Sequence, residues 1–322
     1  MIWGLPGLLI LELKCVLSRG CVVFNQGKRT EVVVTEAEAA ATIKDNMTIA
    51  IGGLLSSSHP MALIRQIIRN GIKNLTVLAG SAGLELDLLI GAGCVKKVVV
   101  ALMSGEVIVT VGPMFRKAAE SGLLEIWEGE ESIYAAGLQA AALGIPFMPV
   151  KAGIGTSLPE INPALKEFRD PITNEAMLAV PALKADVALL HAACADVYGN
   201  VQHIGTGFGD RALYRASERV IVQVEKIIPN EEIRKNPQAT SIPGADMVIR
   251  APFGAHPGSS PGFYLEDCEH MKLYANAAGL AIKKGDSGSL DNYMHDFILE
   301  PETHLDYLEK IGVRTLLSLN EY

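Results

Sequence analysis

Short, nearly unbroken apolar runs alternate along this chain with stretches whose apolar residues recur at helical spacing. Thr35-Glu36-Ala37-Glu38 has the form of a capping box and predicts a short helix through Lys44. Met47–Ile51 reads as a strand ending at Gly52-Gly53. Pro60 then opens a helix over Pro60–Asn70, with Leu63, Ile64, Ile67 and Ile68 on one face and Gly71 at its end. The alternation continues with strands at Leu75–Leu78, Val95–Ala101, Leu124–Trp127 and Phe147–Val150, and with helices at Gly83–Ile90, Pro113–Glu120 and Glu130–Leu143. Val180–His191, Val220–Val224 and Met247–Ala251 predict further buried strands. Lys151–Asn174 shows no clear period, and Glu300 to Leu319 predicts a helical tail.

Strands punctuated by glycine and alternating with helices are βαβ units. They predict an α/β fold: an open, mostly parallel sheet with helices on both faces. Residues 31–322 are expected to form one domain with the helical tail, preceded by a leader of uncertain order over residues 1–30. Leu5 to Leu11 is apolar, but no positive charge precedes it, and no segment supplies the ~20 apolar residues of a spanning helix.

Composition supports a well-packed interior: 49% of the 322 residues are hydrophobic and 20% charged. The net charge of −8 argues against a nucleic-acid partner, whose phosphates need a basic face. Five scattered cysteines with no C-x-x-C pair read as incidental thiols of a reducing, cytoplasmic chain. The histidines show no ligand spacing such as H-E-x-x-H, so no metal site is expected.

Ligands of open α/β sheets bind beyond the carboxyl ends of the strands, which directs attention to the turns there. Gly52-Gly53 ends the first strand, and adjacent glycines let a backbone aim N–H groups at an oxyanion. A plain strand-to-helix turn is the competing reading. Ala79-Gly80-Ser81-Ala82-Gly83 resembles a nucleophile elbow around Ser81, although a small-residue turn explains it better. Gly258-Ser259-Ser260-Pro261-Gly262 matches that elbow formally, but Pro261 has no N–H for an oxyanion hole. Glu128, Glu130 and Glu131 surround the start of a helix, where acidic residues suit the helix dipole. They also fall on the same rim as Gly52-Gly53, where a carboxylate could serve as acid, base or nucleophile.

Taken in order, these residues resemble the α subunit of family I coenzyme A-transferases, particularly the glutaconate CoA-transferase A-subunit group, whose fold is of the NagB-like kind. The resemblance runs from about Thr35 to Leu319. It rests on Gly52-Gly53-Leu54 with Pro60 downstream, Gly153-Ile154-Gly155-Thr156, and Glu231-Glu232-Ile233-Arg234. It continues through Ala251-Pro252-Phe253-Gly254-Ala255-His256-Pro257, Gly262-Phe263-Tyr264 and Tyr307-Leu308-Glu309-Lys310-Ile311-Gly312. It implies transfer of CoA, as substrate and with no bound cofactor, between carboxylic acids. It also implies a hetero-oligomer in which a β subunit carries the nucleophilic glutamate and this chain supplies the oxyanion loop. Gly52, Gly53, Leu54 and Glu131 are then the catalytic candidates, and Ser56, His59, Ser81, Gly155 and Thr156 the substrate-binding ones.

Two positions depart from that pattern: Leu54 stands where an aromatic is usual, and His59 where a basic residue is common. Glu131 stands where the glutaconate group looks to have a glutamine, and it resembles a related branch, the α subunits of CoA-dependent ring-opening hydrolases, in which a glutamate near this position acts in catalysis; Gly137-Leu138-Gln139-Ala140-Ala141 and Pro181-Ala182-Leu183 also resemble that branch. A hydrolase using Glu131 as base is therefore the alternative. A non-catalytic ligand-binding protein on the same fold is a third.

Overall fold

The computed structural model describes residues 29–106, 108, 110–283 and 288–320, so the expected leader lies almost wholly outside it. A capping box at Thr35 starts α1 (Glu36–Ala40): the Glu38 N–H donates to Thr35 Oγ1, and the Thr35 N–H donates to Glu38 Oε2. There follow β1 (Thr48–Ile51), α2 (Met61–Arg69), β2 (Leu75–Ala82), α3 (Leu84–Gly91), β3 (Val95–Met103), α4 (Pro113–Glu120), β4 (Glu125–Glu128) and α5 (Glu131–Leu143). Next come β5 (Phe147–Val150), α6 (Leu158–Ile161), β6 (Lys166–Arg169), β7 (Ala176–Pro181), β8 (Ala185–Ala195) and β9 (Asn200–Gln202). The last part runs α7 (Asp210–Ala216), β10 (Ser217–Ile227), α8 (Asn230–Lys235), β11 (Thr240–Pro243), β12 (Met247–Arg250), α9 (Cys268–Lys283), α10 (Gly288–Met294), α11 (His304–Ile311) and α12 (Val313–Ser318).

The main sheet is parallel through β12-β10-β8-β1-β2-β3-β4, with β9 and β11 added antiparallel at the carboxyl end of β8. Strand residues alternate between two cores, as a period of two demands. Ile49, Ile51, Val77, Val98, Leu189 and Ile221 pack against α1, α2, α3 and α9. Ala50, Leu78, Val99, Ala188, Leu190 and Val222 pack against α5 and α7 on the other face. Among the described residues no helix is long and apolar enough to cross a membrane.

Three expectations need correcting. Phe147–Val150 does not extend the parallel sheet; it pairs antiparallel with β7, which also pairs with β6, in a separate three-stranded sheet. The run Val180–His191 is two strands, because Pro181 has no amide to continue a ladder and the Leu183 N–H donates to Gly137 O instead. The helical tail is preceded by α9 and α10, whose mixed small and polar residues hid their helical period.

The carboxyl-terminal helices close over α2 around a buried cation. Arg65 Nη1 donates to His256 O (3.0 Å) and Nη2 to His304 Nδ1 (3.2 Å), with the Tyr307 ring 3.6 Å from the guanidinium carbon. His304 Nε2–H donates to Pro252 O at 2.7 Å, so this ring is neutral. Burial, reinforced by Arg65, pushes His304 down to about 3, and burial with neighbouring His256 does the same to His270. Because the unfolded chain takes up those protons below the ordinary value of 6.5, their stabilisation is complete above it and is lost as pH falls toward about 3. Lowering the pH from about 7 to about 5 will therefore remove on the order of 2 kcal/mol per buried histidine from the unfolding free energy. Urea unfolding followed by circular dichroism at both pH values measures this, and a flat profile would contradict neutral burial.

Candidate active site

The carboxyl ends of β1, β2 and β3 open into a cleft of ≈ 560 Å³, roofed by α5 on one side and by the start of α7 on the other. Gly53 and Leu54 enter it from β1, Gly80 and Ser81 from β2, and Glu131, Tyr134 and Gln139 from one face of α5. Asp210, Arg211 and Arg215 complete it from α7. Glu131 and Tyr134 are three residues apart on α5, which sets them side by side.

The strand-end glycines are required by their surroundings. A Cβ on Gly52 would lie 2.4 Å from Asp210 Oδ1 and 2.7 Å from Leu190 Cδ2. Gly53 has φ +95°, and a Cβ there would meet the Ser57 and Ser58 carbonyls and the His59 ring within 2.7 Å. The expectation of free amides is corrected in detail. The Gly52 N–H donates to Leu189 O at 2.9 Å and so continues the parallel ladder, while the Leu54 N–H donates to Ser57 O at 2.9 Å. The Gly53 N–H, at the cleft wall, donates to Asp210 Oδ1 at a long 3.2 Å. Gly52 is thus a spacer, Leu54 contributes its side chain to the cleft, and Gly53 alone of the three holds its amide against a movable side chain.

Beneath the loop, His59 is 3% exposed and outside the cleft. Its Nδ1–H donates to Gly52 O (2.8 Å), and Nε2 faces both Leu55 O (3.0 Å) and Glu85 Oε2 (3.3 Å). His59 therefore holds the loop's shape instead of contacting a ligand. Burial pushes the Glu85 carboxyl up, opposed by His59 and by the Gly83 N–H that donates to it. On the cleft side, His203 Nε2–H donates to Asp210 Oδ2 (3.0 Å), and His203 Nδ1 lies 2.6 Å from Ser241 Oγ, which donates to Val201 O (3.2 Å). Asp210 itself is fully buried.

Ser81 lies within β2, not in a turn, and its Oγ donates to Glu131 Oε1 at 3.3 Å. With no imidazole beside it, the elbow reading has no base. Ser260 fares no better. Its Oγ and Glu225 Oε1 both face His191 Nε2, at 3.0 and 3.1 Å, while His191 Nδ1 accepts from Gln223 Nε2 at 2.8 Å. His191 Nε2 is thus a donor shared between Ser260 and Glu225 and cannot take a proton from Ser260. Ser56 lies on the far side of the loop and donates to Glu106 Oε2 (2.7 Å). Gly155 and Thr156 sit in the exposed loop after β5, where Thr156 Oγ1 donates to Gly153 O (2.7 Å), and neither lines the cleft.

The structure thus brings together Gly53, Leu54, Ser81 and Glu131 from the sequence expectations and adds Tyr134, Asp210, Arg211 and Arg215. The two arginines share one face of α7, are exposed, and have no carboxylate partner among the described residues. Elsewhere, His295, Asp296 and Glu300 come together at the surface, where Lys310 pairs with Glu300.

Comparison with known proteins identifies the family. The family model described as coenzyme A transferase matches residues 33–248. An uncharacterized protein of Archaeoglobus fulgidus is 34% identical over 89% of this chain, which spans 64% of that protein's length. The A-subunit of glutaconate CoA-transferase from Acidaminococcus fermentans is 31% identical over 90% of this chain and 94% of its own. The crystal structure of that organism's glutaconate coenzyme A-transferase superposes with a TM-score of 0.84 at 32% identity, covering 90% of this chain and 96% of that one. The cholesterol ring-cleaving hydrolase IpdA subunit of Mycobacterium tuberculosis is 34% identical over 76% of this chain and 87% of its own. A fold shared over 90% of the chain and a family match over residues 33–248 lead to one conclusion: this chain belongs to the coenzyme A transferase family.

Proposed function

We propose that this chain is the subunit of a two-subunit CoA-transferase that supplies the electrostatic half of the active site, while a partner subunit supplies a glutamate nucleophile. The single observation carrying the reading is that similarity to the glutaconate CoA-transferase A-subunit runs through 90% of this chain and 94% of that protein. The partner's carboxylate attacks the acyl-CoA carbonyl and expels CoA thiolate, leaving a mixed anhydride. The thiolate then attacks the glutamyl carbonyl, releasing the first acid and leaving an enzyme thioester. A second carboxylate attacks that thioester and leaves with CoA by the same two steps in reverse.

Each addition places negative charge on a carbonyl oxygen. A Gly53 N–H released by Asp210 and directed at that oxygen would contribute up to ~3–4 kcal/mol. Arg211 and Arg215, on the cleft wall with no carboxylate partner among the described residues, suit substrates that arrive as anions. The compartment fitting this reading is the cytoplasm.

A second reading is favoured by Glu131. It projects into the cleft, within reach of the Ser81 hydroxyl, in a chain 34% identical to a ring-cleaving hydrolase subunit. There it would act as a base on a CoA-bound cyclic substrate, with no covalent intermediate on a partner.

The transferase reading leads to a first expectation: the purified chain alone shows no CoA transfer, and adding the partner subunit restores it. Gly53→Ala, strained at φ +95°, then lowers kcat by about a hundredfold or more while circular dichroism still reports a folded chain. Transfer by the chain alone would refute the assignment. The two readings part at Glu131→Gln. The transferase keeps turnover within a few-fold, and intact-mass measurement during turnover finds CoA joined to the partner subunit. The hydrolase loses turnover, with no adduct.

A further inference from the structure

The Gly53 amide at the cleft wall is engaged by Asp210 Oδ1, so a substrate oxygen can use it only if that carboxylate oxygen moves. A buried carboxylate deprived of a donor is costly, and the second oxygen of Asp210 is already held by His203. Across the cleft, α5 packs against α7. There the Tyr134 hydroxyl is buried and has no hydrogen-bond partner among the described residues. Its ring sits over Gly80, where a Cβ would come within 3.0 Å of it. Burial and then the charge of Asp210 push the Tyr134 phenol up, so it remains an O–H donor. The cleft therefore holds a carboxylate about to lose a donor and a donor lacking an acceptor.

We propose that Tyr134 is a positioning residue: when an sp² oxygen of the acyl substrate takes the Gly53 N–H, the Asp210 carboxylate exchanges that amide for the Tyr134 hydroxyl. The exchange keeps the charge buried and satisfied in both states. The inference rests on the reading of Gly53 as the substrate's donor. It requires no particular fate of the thioester afterwards, so it applies to transferase and hydrolase alike.

The test is Tyr134→Phe in the complex with the partner subunit. The substitution removes a hydroxyl that bonds nothing among the described residues of the free chain, so the midpoint of thermal unfolding stays level or rises. Affinity for glutaryl-CoA, relative to CoA alone, falls by about tenfold, and kcat/KM falls with it. In the Asp210→Asn background, Tyr134→Phe has little further effect, because the charge it served is gone. Any of three results overturns the exchange: unchanged acyl preference in Tyr134→Phe, a drop of several degrees in its unfolding midpoint, or an equal loss in the Asp210→Asn background. Wild-type complex that binds glutaryl-CoA without transferring CoA defeats the transferase reading alone, and the affinity ratios still decide the role of Tyr134. Wild-type complex with no preference for glutaryl-CoA over CoA defeats the exchange outright.

Discussion

No side chain fits at position 52, because the Asp210 carboxylate already occupies that space. The rest of the site follows from this contact. It brings the start of α7 against the end of β1, and so fixes the width of the cleft that α5 closes from the far side. Because Gly52 continues the ladder to β8 before the chain turns at Gly53, the loop begins from a rigid strand end and not from a free tether. Glycine at 52 is a matter of room, and glycine at 53 a matter of backbone angle.

Two buried acids hold the loop from opposite sides. Glu85 works from below through His59, whose ring spans the Gly52 and Leu55 carbonyls. Asp210 works from the cleft side through the Gly53 amide, backed by His203 and Ser241. Buried carboxylates persist in folds only when donors surround them: Asp210 has the Gly53 amide and His203, and Glu85 has His59 and the Gly83 amide. The arrangement places the loop under opposing polar contacts, which positions a backbone donor more sharply than apolar packing alone would.

Much of this could be read from the sequence, for physical reasons that also explain what could not. The β1-to-α2 unit was visible because Met47–Ile51 is a short, mostly apolar run that ends on paired glycines and is followed by a proline. Glu131 was visible because an acid at a helix start after a strand must lie on the carboxyl rim. Asp210 and His203 were not, since the sequence offers Gly205-Thr206-Gly207-Phe208-Gly209 between them and no period to place α7. The pairing of Asp210 with Gly53 spans 157 positions and exists only after β8 docks beside β1. His59 misled because a histidine beside a catalytic loop suggests a ligand contact, whereas its two ring nitrogens are used up by the loop's own carbonyls. Tyr134 sits among the alanines of α5 and reads as a core aromatic; its significance lies in a hydroxyl without a partner among the described residues, which no sequence pattern marks.

Charge in the cleft bears on the choice between the two chemistries. Asp210 is satisfied internally by His203 and the Gly53 amide, whereas Glu131 has only the weak Ser81 contact among the hydrogen bonds of the described residues. On the transferase reading, a second carboxylate from the partner enters beside Glu131, together with an anionic acid. Like charges in a partly desolvated space raise one another's proton affinity and so blunt a carboxylate nucleophile. Arg211 and Arg215 on the facing helix supply two positive charges that offset this crowding. On the hydrolase reading no partner carboxylate enters, and the same two charges face only Glu131 and the anionic groups of the substrate. The two arginines therefore have more negative charge to offset in transfer, where a partner carboxylate and a free acid share the cleft, than in hydrolysis.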